Sequence, residues 1–166
     1  IISMISVLLV VAAVAALIST LLLSVLQISG SSMEPTLYDR DVVVLLRGDH
    51  PKRGDLIGFY WNNKLLLKRV IGLPGDVVII DDNGAIYING ELLDEPYIAE
   101  ASKSQGQYDI SFPYVVPEEE FFVLGDYRVA SVDSRSEAIG CVRRDQMIGK
   151  VIFEVWPKVK FSFSGK

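Results

Sequence analysis

No charged side chain occurs before Glu34, and positions Ile1 to Ile28 are Leu, Val, Ile and Ala, interrupted mainly by a few Ser and Thr residues. That run limits what the chain can become more than any other feature. A helix of about 20 apolar residues covers a hydrocarbon core about 30 Å thick, so Ile1 to Ile28 is long enough to cross a bilayer with tilt to spare. A secretory signal would need an apolar region of only about 7–15 residues and a small-residue cleavage site, and no Ala-x-Ala separates this run from the polar sequence. The expectation is an uncleaved anchor over 1–28 followed by a domain over 29–166. Ser3, Ser6, Ser19, Thr20 and Ser24 suit a spanning helix, because their hydroxyls can bond a carbonyl one turn back.

Beyond the anchor the chain suffices for one modest domain and not for two. The net charge is −5, and the basic residues are scattered rather than gathered into a stripe, which excludes a nucleic-acid partner. Cys141 is the single cysteine and His50 the single histidine, so neither an intrachain disulfide nor a His/Cys zinc cluster is expected, and no metal or cofactor is indicated.

Periodicity in that domain favours strands. Asp41 to Leu46, Leu56 to Tyr60, Leu65 to Ile71, Val77 to Ile80, Phe121 to Leu124 and Met147 to Trp156 are β-branched or apolar runs bounded by Gly, Pro, Asn and Asp. Asn83-Gly84 and Asn89-Gly90 bracket Ala85 to Ile88 with type I′ turn chemistry, which predicts a small hairpin insert over about 82–120. Glu91 to Glu120 holds Pro96, Pro113 and Pro117 and reads as extended loop with one short strand. The expected class is mainly β, an antiparallel sheet or barrel-like domain behind one N-terminal transmembrane helix.

The junction Ile28-Ser29-Gly30-Ser31-Ser32-Met33-Glu34-Pro35-Thr36-Leu37 is where chemistry can be sought. Gly30 permits a tight backbone path and Pro35 biases Glu34 towards extended geometry, so Ser32 falls on a constrained turn able to present its hydroxyl. The same composition also describes an ordinary loop after a membrane helix. A serine hydroxyl is a poor nucleophile until a base takes its proton. His50 lies in the hydrophilic loop Gly48 to Lys52 and reads as a solvated turn residue. Lys68, between Leu65-Leu66-Leu67 and Val70-Ile71, is the alternative base, since burial disfavours its ammonium form; a thousandfold shift towards the amine corresponds to about 4 kcal/mol. A strand-edge lysine with its ammonium in water is the commoner fate of that residue type.

Four blocks weigh on that choice: Ile28 to Leu37, Arg53 to Phe59, Lys68 to Asp76, and Gly125-Asp126-Tyr127-Arg128-Val129-Ala130-Ser131-Val132-Asp133-Ser134-Arg135. In this order, behind a membrane anchor, they resemble the bacterial type I signal peptidases, the S26 family of Ser–Lys dyad enzymes. The resemblance implies a membrane-bound serine endopeptidase that cleaves N-terminal signal peptides of the Ala-x-Ala type from exported preproteins. It implies Ser32 as nucleophile, Lys68 as general base and Ser131 as the hydroxyl that orients the lysine. The backbone N–H of Ser32 is implied as one oxyanion donor. Many relatives carry a serine two positions before the nucleophile where this chain has Gly30, so Ser31 becomes a candidate for the second donor. Ile28, Met33, Leu37 and Leu67 match pocket-lining positions, and Arg69, Asp126, Asp133 and Arg135 match charged scaffold positions. Tyr127 departs from the asparagine usual at its place. The resemblance also places the enzyme as a single-pass protein of the cell membrane with its catalytic domain on the extracytoplasmic side.

Two other readings share part of this pattern. A self-cleaving Ser–Lys protease of the SOS-repressor kind has the dyad but is soluble and carries a DNA-binding domain, against the uncharged anchor here. A non-catalytic, membrane-tethered β module that binds extended peptides would account for Gly30 and Tyr127 as marks of lost activity.

Overall fold

The computed structural model describes residues 3–48, 50–104, 106–156 and 160–161. Helix α1, Met4–Leu22, opens on Ser3, whose side chain accepts a hydrogen bond from the Ile5 N–H, and none of its residues is buried. Ser19 and Thr20 donate their hydroxyls to the carbonyls of Ala16 and Leu17, which satisfies both groups within the helix. Its 19 residues rise about 28 Å, close to the thickness of a hydrocarbon core.

The helix therefore ends earlier than the expected boundary at Ile28. Once the apolar thickness is spanned, the backbone of Leu23–Gln27 finds partners in a sheet instead of in another helical turn. This strand, β1, runs antiparallel to β2, Val42–Leu46, with Leu23 opposite Leu46 and Gln27 opposite Val42. Ile28 is buried in the core behind it.

The remaining elements are β3 (Leu56–Trp61), β4 (Lys64–Gly72), β5 (Val77–Ile80), β6 (Ile86–Ile88), β7 (Glu91–Leu92), β8 (Tyr114–Val115), β9 (Glu120–Leu124), β10 (Val142–Arg143), β11 (Met147–Trp156) and β12 (Lys160–Phe161). An eight-stranded sheet has the order β1-β2-β11-β3-β4-β9-β10, with β12 added on β11, and a four-stranded sheet has the order β7-β6-β5-β8. Every pairing is antiparallel, in line with the expected mainly β class.

The insert is wider than the sequence indicated. β5 belongs to it, and β8 returns to pair with β5, so Glu91 to Glu120 contributes two short strands besides the first residue of β9. Of these two Asn-Gly pairs, Asn89-Gly90 has positive φ at both residues, as a type I′ turn requires. At the other turn Gly84 alone is positive, and the Asp81 carboxylate accepts from the N–H groups of Asn83 and Ala85, an Asx turn in place of the expected one.

Alternation along the strands builds three cores. Leu56 of β3 and Leu67 of β4 join Ile28, Met33, Leu37, Val43, Leu45 and Val151, so the turn carrying Ser32 is anchored directly in a core. Ile57, Phe59, Val70, Phe121 and Val123 pack separately. Phe122 and Leu124 of β9 meet Val78, Ile80, Ile86 and Ile88 of the small sheet.

Candidate active site

The junction after β1 folds into the turn that the sequence suggested. Met33 and Leu37 point into the core at 1% and 3% exposure, and their burial pins both ends of Met33 to Leu37. The Leu37 N–H closes the turn on the Met33 carbonyl at 3.0 Å. Gly30, at φ +89°, gives its N–H to the Asp39 carboxylate at 2.8 Å. That N–H is thereby removed from the candidate oxyanion donors, while the exposed Ser31 and half-buried Ser32 follow it on the same turn.

Ser32 and Lys68 line one cleft of about 150 Å³, together with Ile28, Met33 and Leu67. Of the four expected pocket residues only Leu37 is absent from this wall; it is spent on the core beneath. Lys68 sits in β4 opposite Ile57 and is 3% exposed. Burial lowers its amine from 10.5 to about 8; Asp133 pulls the value back up, Arg135 pushes it down, and Asp126 raises it. Burial prevails because the two nearby carboxylates are already neutralised by arginines.

Those arginine pairs use the four expected scaffold residues. Arg69 meets Asp126 through Nε at 2.8 Å and Nη2 at 2.5 Å, and its Nη1 donates to the Gly54 carbonyl at 2.8 Å. Thr36, from the turn that carries Ser32, also donates its hydroxyl to Asp126. Arg135 meets both Asp133 oxygens at 2.8 Å and donates to the carbonyls of Arg128 at 2.9 Å and Ser131 at 3.2 Å. The other lone pairs of Asp133 accept the Gly125 N–H at 2.9 Å. Bidentate pairs of this kind fix position as well as charge.

Ser131 does not line the cleft, yet its hydroxyl lies against the same glycine as the Ser32 turn. A Cβ added to Gly125 would overlap Ser131 Oγ and stand 2.5 Å from the Ser32 carbonyl oxygen. Among the described residues, Ser131 Oγ is the only buried side-chain polar atom without a hydrogen-bond partner. Leaving such a group unsatisfied costs about 1–3 kcal/mol, which marks it as a group held for another purpose.

Tyr127 contributes by its backbone: its N–H donates to the Ser32 carbonyl at 3.1 Å, while its side chain reaches the surface. His50 is exposed and meets Arg144 instead of the cleft residues.

Three residues of the setting were not foreseen. Arg128 forms a nearly dry ion pair with Glu95, Nη2 to Oε1 at 2.5 Å, and donates Nε to the Gly125 carbonyl at 3.0 Å. Tyr97 donates its hydroxyl to Glu95 at 2.9 Å and places its ring 3.8 Å from the Arg69 guanidinium. Burial and the neighbouring Glu95 raise the Tyr97 phenol well above its ordinary value, so it remains a neutral donor. Arg128 stood within a recognisable block, but nothing local to Glu95-Pro96-Tyr97 signals a partner 33 positions away.

A model of the family described as signal peptidase, peptidase S26, matches residues 1–156. A signal peptidase I of Bacillus amyloliquefaciens is 37% identical over 153 residues, 86% of this chain and 81% of the relative. A signal peptidase IB of Staphylococcus aureus is 36% identical over 156 residues, 82% of this chain and 80% of the relative. The crystal structure of a signal peptidase I from Enterococcus faecalis superposes with a TM-score of 0.53 at 35% identity, over 61% of this chain and 97% of that one.

Proposed function

The chain belongs to the signal peptidase family, peptidase S26, and from that membership we propose that it removes signal peptides by acyl transfer through Ser32 and Lys68. The observation that carries this reading is the buried Lys68 amine, lowered to about 8, lining the same small cleft as Ser32. At pH 7 about one such lysine in ten is neutral, against about one in a few thousand at its ordinary value.

The neutral amine takes the proton of Ser32 Oγ as that oxygen adds to the scissile carbonyl. The resulting oxyanion is held by the Ser32 backbone N–H, with Ser31 as the candidate for a second donor. The Lys68 ammonium then gives its proton to the departing amine of the mature chain, leaving an acyl ester on Ser32. Lys68, neutral again, deprotonates the water that hydrolyses the ester. Ser131 Oγ, which has no hydrogen-bond partner in the resting structure, is the acceptor we assign to the Lys68 amine in the reacting enzyme, where it fixes the amine's direction, while Arg69, Asp126, Asp133 and Arg135 hold the two strands and the loop in place.

The substrate enters as an extended strand. Among the described residues β1 pairs with β2 alone, and β4 meets β9 only through Arg69–Gly72, so Leu23–Gln27 and Lys64–Lys68 each offer an unoccupied edge beside the cleft. A cleft of about 150 Å³ walled by Ile28, Met33 and Leu67 suits an Ala-x-Ala sequence and excludes bulky side chains. α1 crosses the bilayer once and sets the domain that follows it, from β1 onward, on the extracytoplasmic surface.

The test is a preprotein incubated with the detergent-solubilised chain. A single processed product, lost in Ser32→Ala, is expected; processing that survives Ser32→Ala removes this mechanism, and no processing by the native chain returns the peptide-binding module to consideration.

A further inference from the structure

After β7 the chain runs Leu93-Asp94-Glu95-Pro96-Tyr97-Ile98, a stretch held at both of its apolar ends. The Leu93 N–H donates to the Ile86 carbonyl at 2.8 Å, Leu93 packs on the core of the four-stranded sheet, and Ile98 is buried. Pro96 fixes φ between these anchors, so Glu95 and Tyr97 are presented by backbone with little freedom of its own.

Both side chains act on the loop after β9, by different routes. Glu95 pairs with Arg128, whose Nε donates to the Gly125 carbonyl at 3.0 Å. Tyr97 lays its ring 3.8 Å from the Arg69 guanidinium, and Arg69 grips both oxygens of Asp126. The routes end on consecutive residues, Gly125 and Asp126, and the Tyr97 hydroxyl closes them into one circuit by donating to Glu95 at 2.9 Å. Gly125 is packed between Ser131 and the Ser32 carbonyl, and Asp126 also accepts from Thr36 of the Ser32 turn. Charges this dry are costly: the side chains of Glu95 and Arg128 are 7% and 2% exposed, and an apolar pair of the same volume would serve the fold as well. An apolar pair could not aim a hydrogen bond at the Gly125 carbonyl.

We propose that Glu95 and Tyr97 are positioning residues for the dyad, one clamping Gly125 through Arg128 and the other clamping Asp126 through Arg69, so that a segment outside the eight-stranded sheet fixes how Ser32, Lys68 and Ser131 stand to one another. The proposal rests on the Ser32–Lys68 reading. Electrostatics follows the same path. Asp133, Arg135 and Asp126 are the charged groups that bear on Lys68, and Arg69 is the next residue on β4. Capped by the Tyr97 ring, the Arg69 guanidinium stays on Asp126; released towards water, it would leave that carboxylate free to stabilise the Lys68 ammonium.

The experiment measures kcat, KM, the pH profile and Tm with one preprotein and the full chain in detergent, for Tyr97→Leu, Tyr97→Phe and the double variant Glu95→Leu/Arg128→Met beside the native enzyme. Tyr97→Leu loses the ring and should lower kcat about tenfold or more with little change in KM, while the midpoint of kcat/KM moves up by about half a pH unit or more. Tyr97→Phe keeps a ring over Arg69 and should restore both. Glu95→Leu/Arg128→Met keeps the volume without either charge, so its Tm should stay close to native while kcat falls by a similar factor. Native kcat and midpoint in Tyr97→Leu, or a Tyr97→Phe enzyme as impaired as Tyr97→Leu, overturns the proposal. So does native kcat in the double variant, or a kcat loss there that comes with a collapsed Tm, which would assign the pair to the fold alone; if Tyr97→Leu does not fold, the double variant decides. Failure of the dyad reading looks different: Ser32→Ala would go on processing the preprotein.

Discussion

The backbone N–H of Tyr127 donates to the carbonyl of Ser32 at 3.1 Å, which ties the proposed nucleophile's own residue to the loop that carries Ser131. Gly125 lies under this junction, with no room for a Cβ between Ser131 and the Ser32 carbonyl. Gly125→Ala therefore has to push the Ser32 turn and Ser131 apart. Because a displacement of about 1 Å can cost about 100-fold in rate, kcat should fall by at least that factor while far-UV circular dichroism stays native. Near-native kcat in a folded Gly125→Ala chain would show that the two segments need not be in contact.

Lys68 makes folding stability depend on pH in a definite direction. Its folded value, about 8, lies below its ordinary 10.5, so between those limits the unfolded chain binds the extra proton and stability rises with pH. Below about pH 8 the buried ammonium costs the fold on the order of 3 kcal/mol. Lys68→Met should accordingly be the more stable protein at pH 7, with its advantage in Tm shrinking as the pH approaches 10.5. An advantage that is constant across this range would mean that the lysine is solvated.

Asp126→Asn leaves the Arg69 guanidinium without its counter-charge at a site where Asp126 is fully buried. A loss of about 3–5 kcal/mol is expected from breaking one side of a buried pair, read as a lower midpoint in urea. The exposed pair Arg143–Asp145 offers the comparison: Asp145→Asn should change stability by less than about 1 kcal/mol.

Truncation separates the helix from the sheet. Deleting residues 1–22 removes only α1 and should leave a domain that folds and cuts a soluble peptide. Deleting residues 1–27 also removes β1, which uncovers the edge of β2 and part of the core around Leu26 and Val43. That shorter chain should aggregate on gel filtration; equal behaviour of the two would mean that β1 is dispensable to the domain.

What could be read from the residues was local. The runs Leu56 to Tyr60 and Met147 to Trp156 announce strands through their own composition, and Ser32 and Lys68 sit in blocks whose residue types lie side by side in the chain. The end of α1 was not legible, because Leu23, Val25 and Leu26 continue the apolar run without a Gly or Pro to stop it, and only pairing with β2 makes the segment a strand. Likewise Glu95 and Tyr97 gain their roles from Arg128 and Arg69, partners that hydropathy along one segment cannot name. The depressed Lys68 amine lies between these cases: apolar neighbours forecast its burial, whereas the neutralisation of Asp126 and Asp133 by arginines needed the fold.

The central claim is that Lys68, and not the single histidine, is the base for Ser32. The most direct measurement is kcat/KM for one preprotein as a function of pH, taken on His50→Ala beside Lys68→Met. The dyad predicts that His50→Ala retains the native profile, rising through about 8, and that Lys68→Met is at background at every pH. A Lys68→Met enzyme that still cleaves, beside a His50→Ala enzyme that does not, would contradict it.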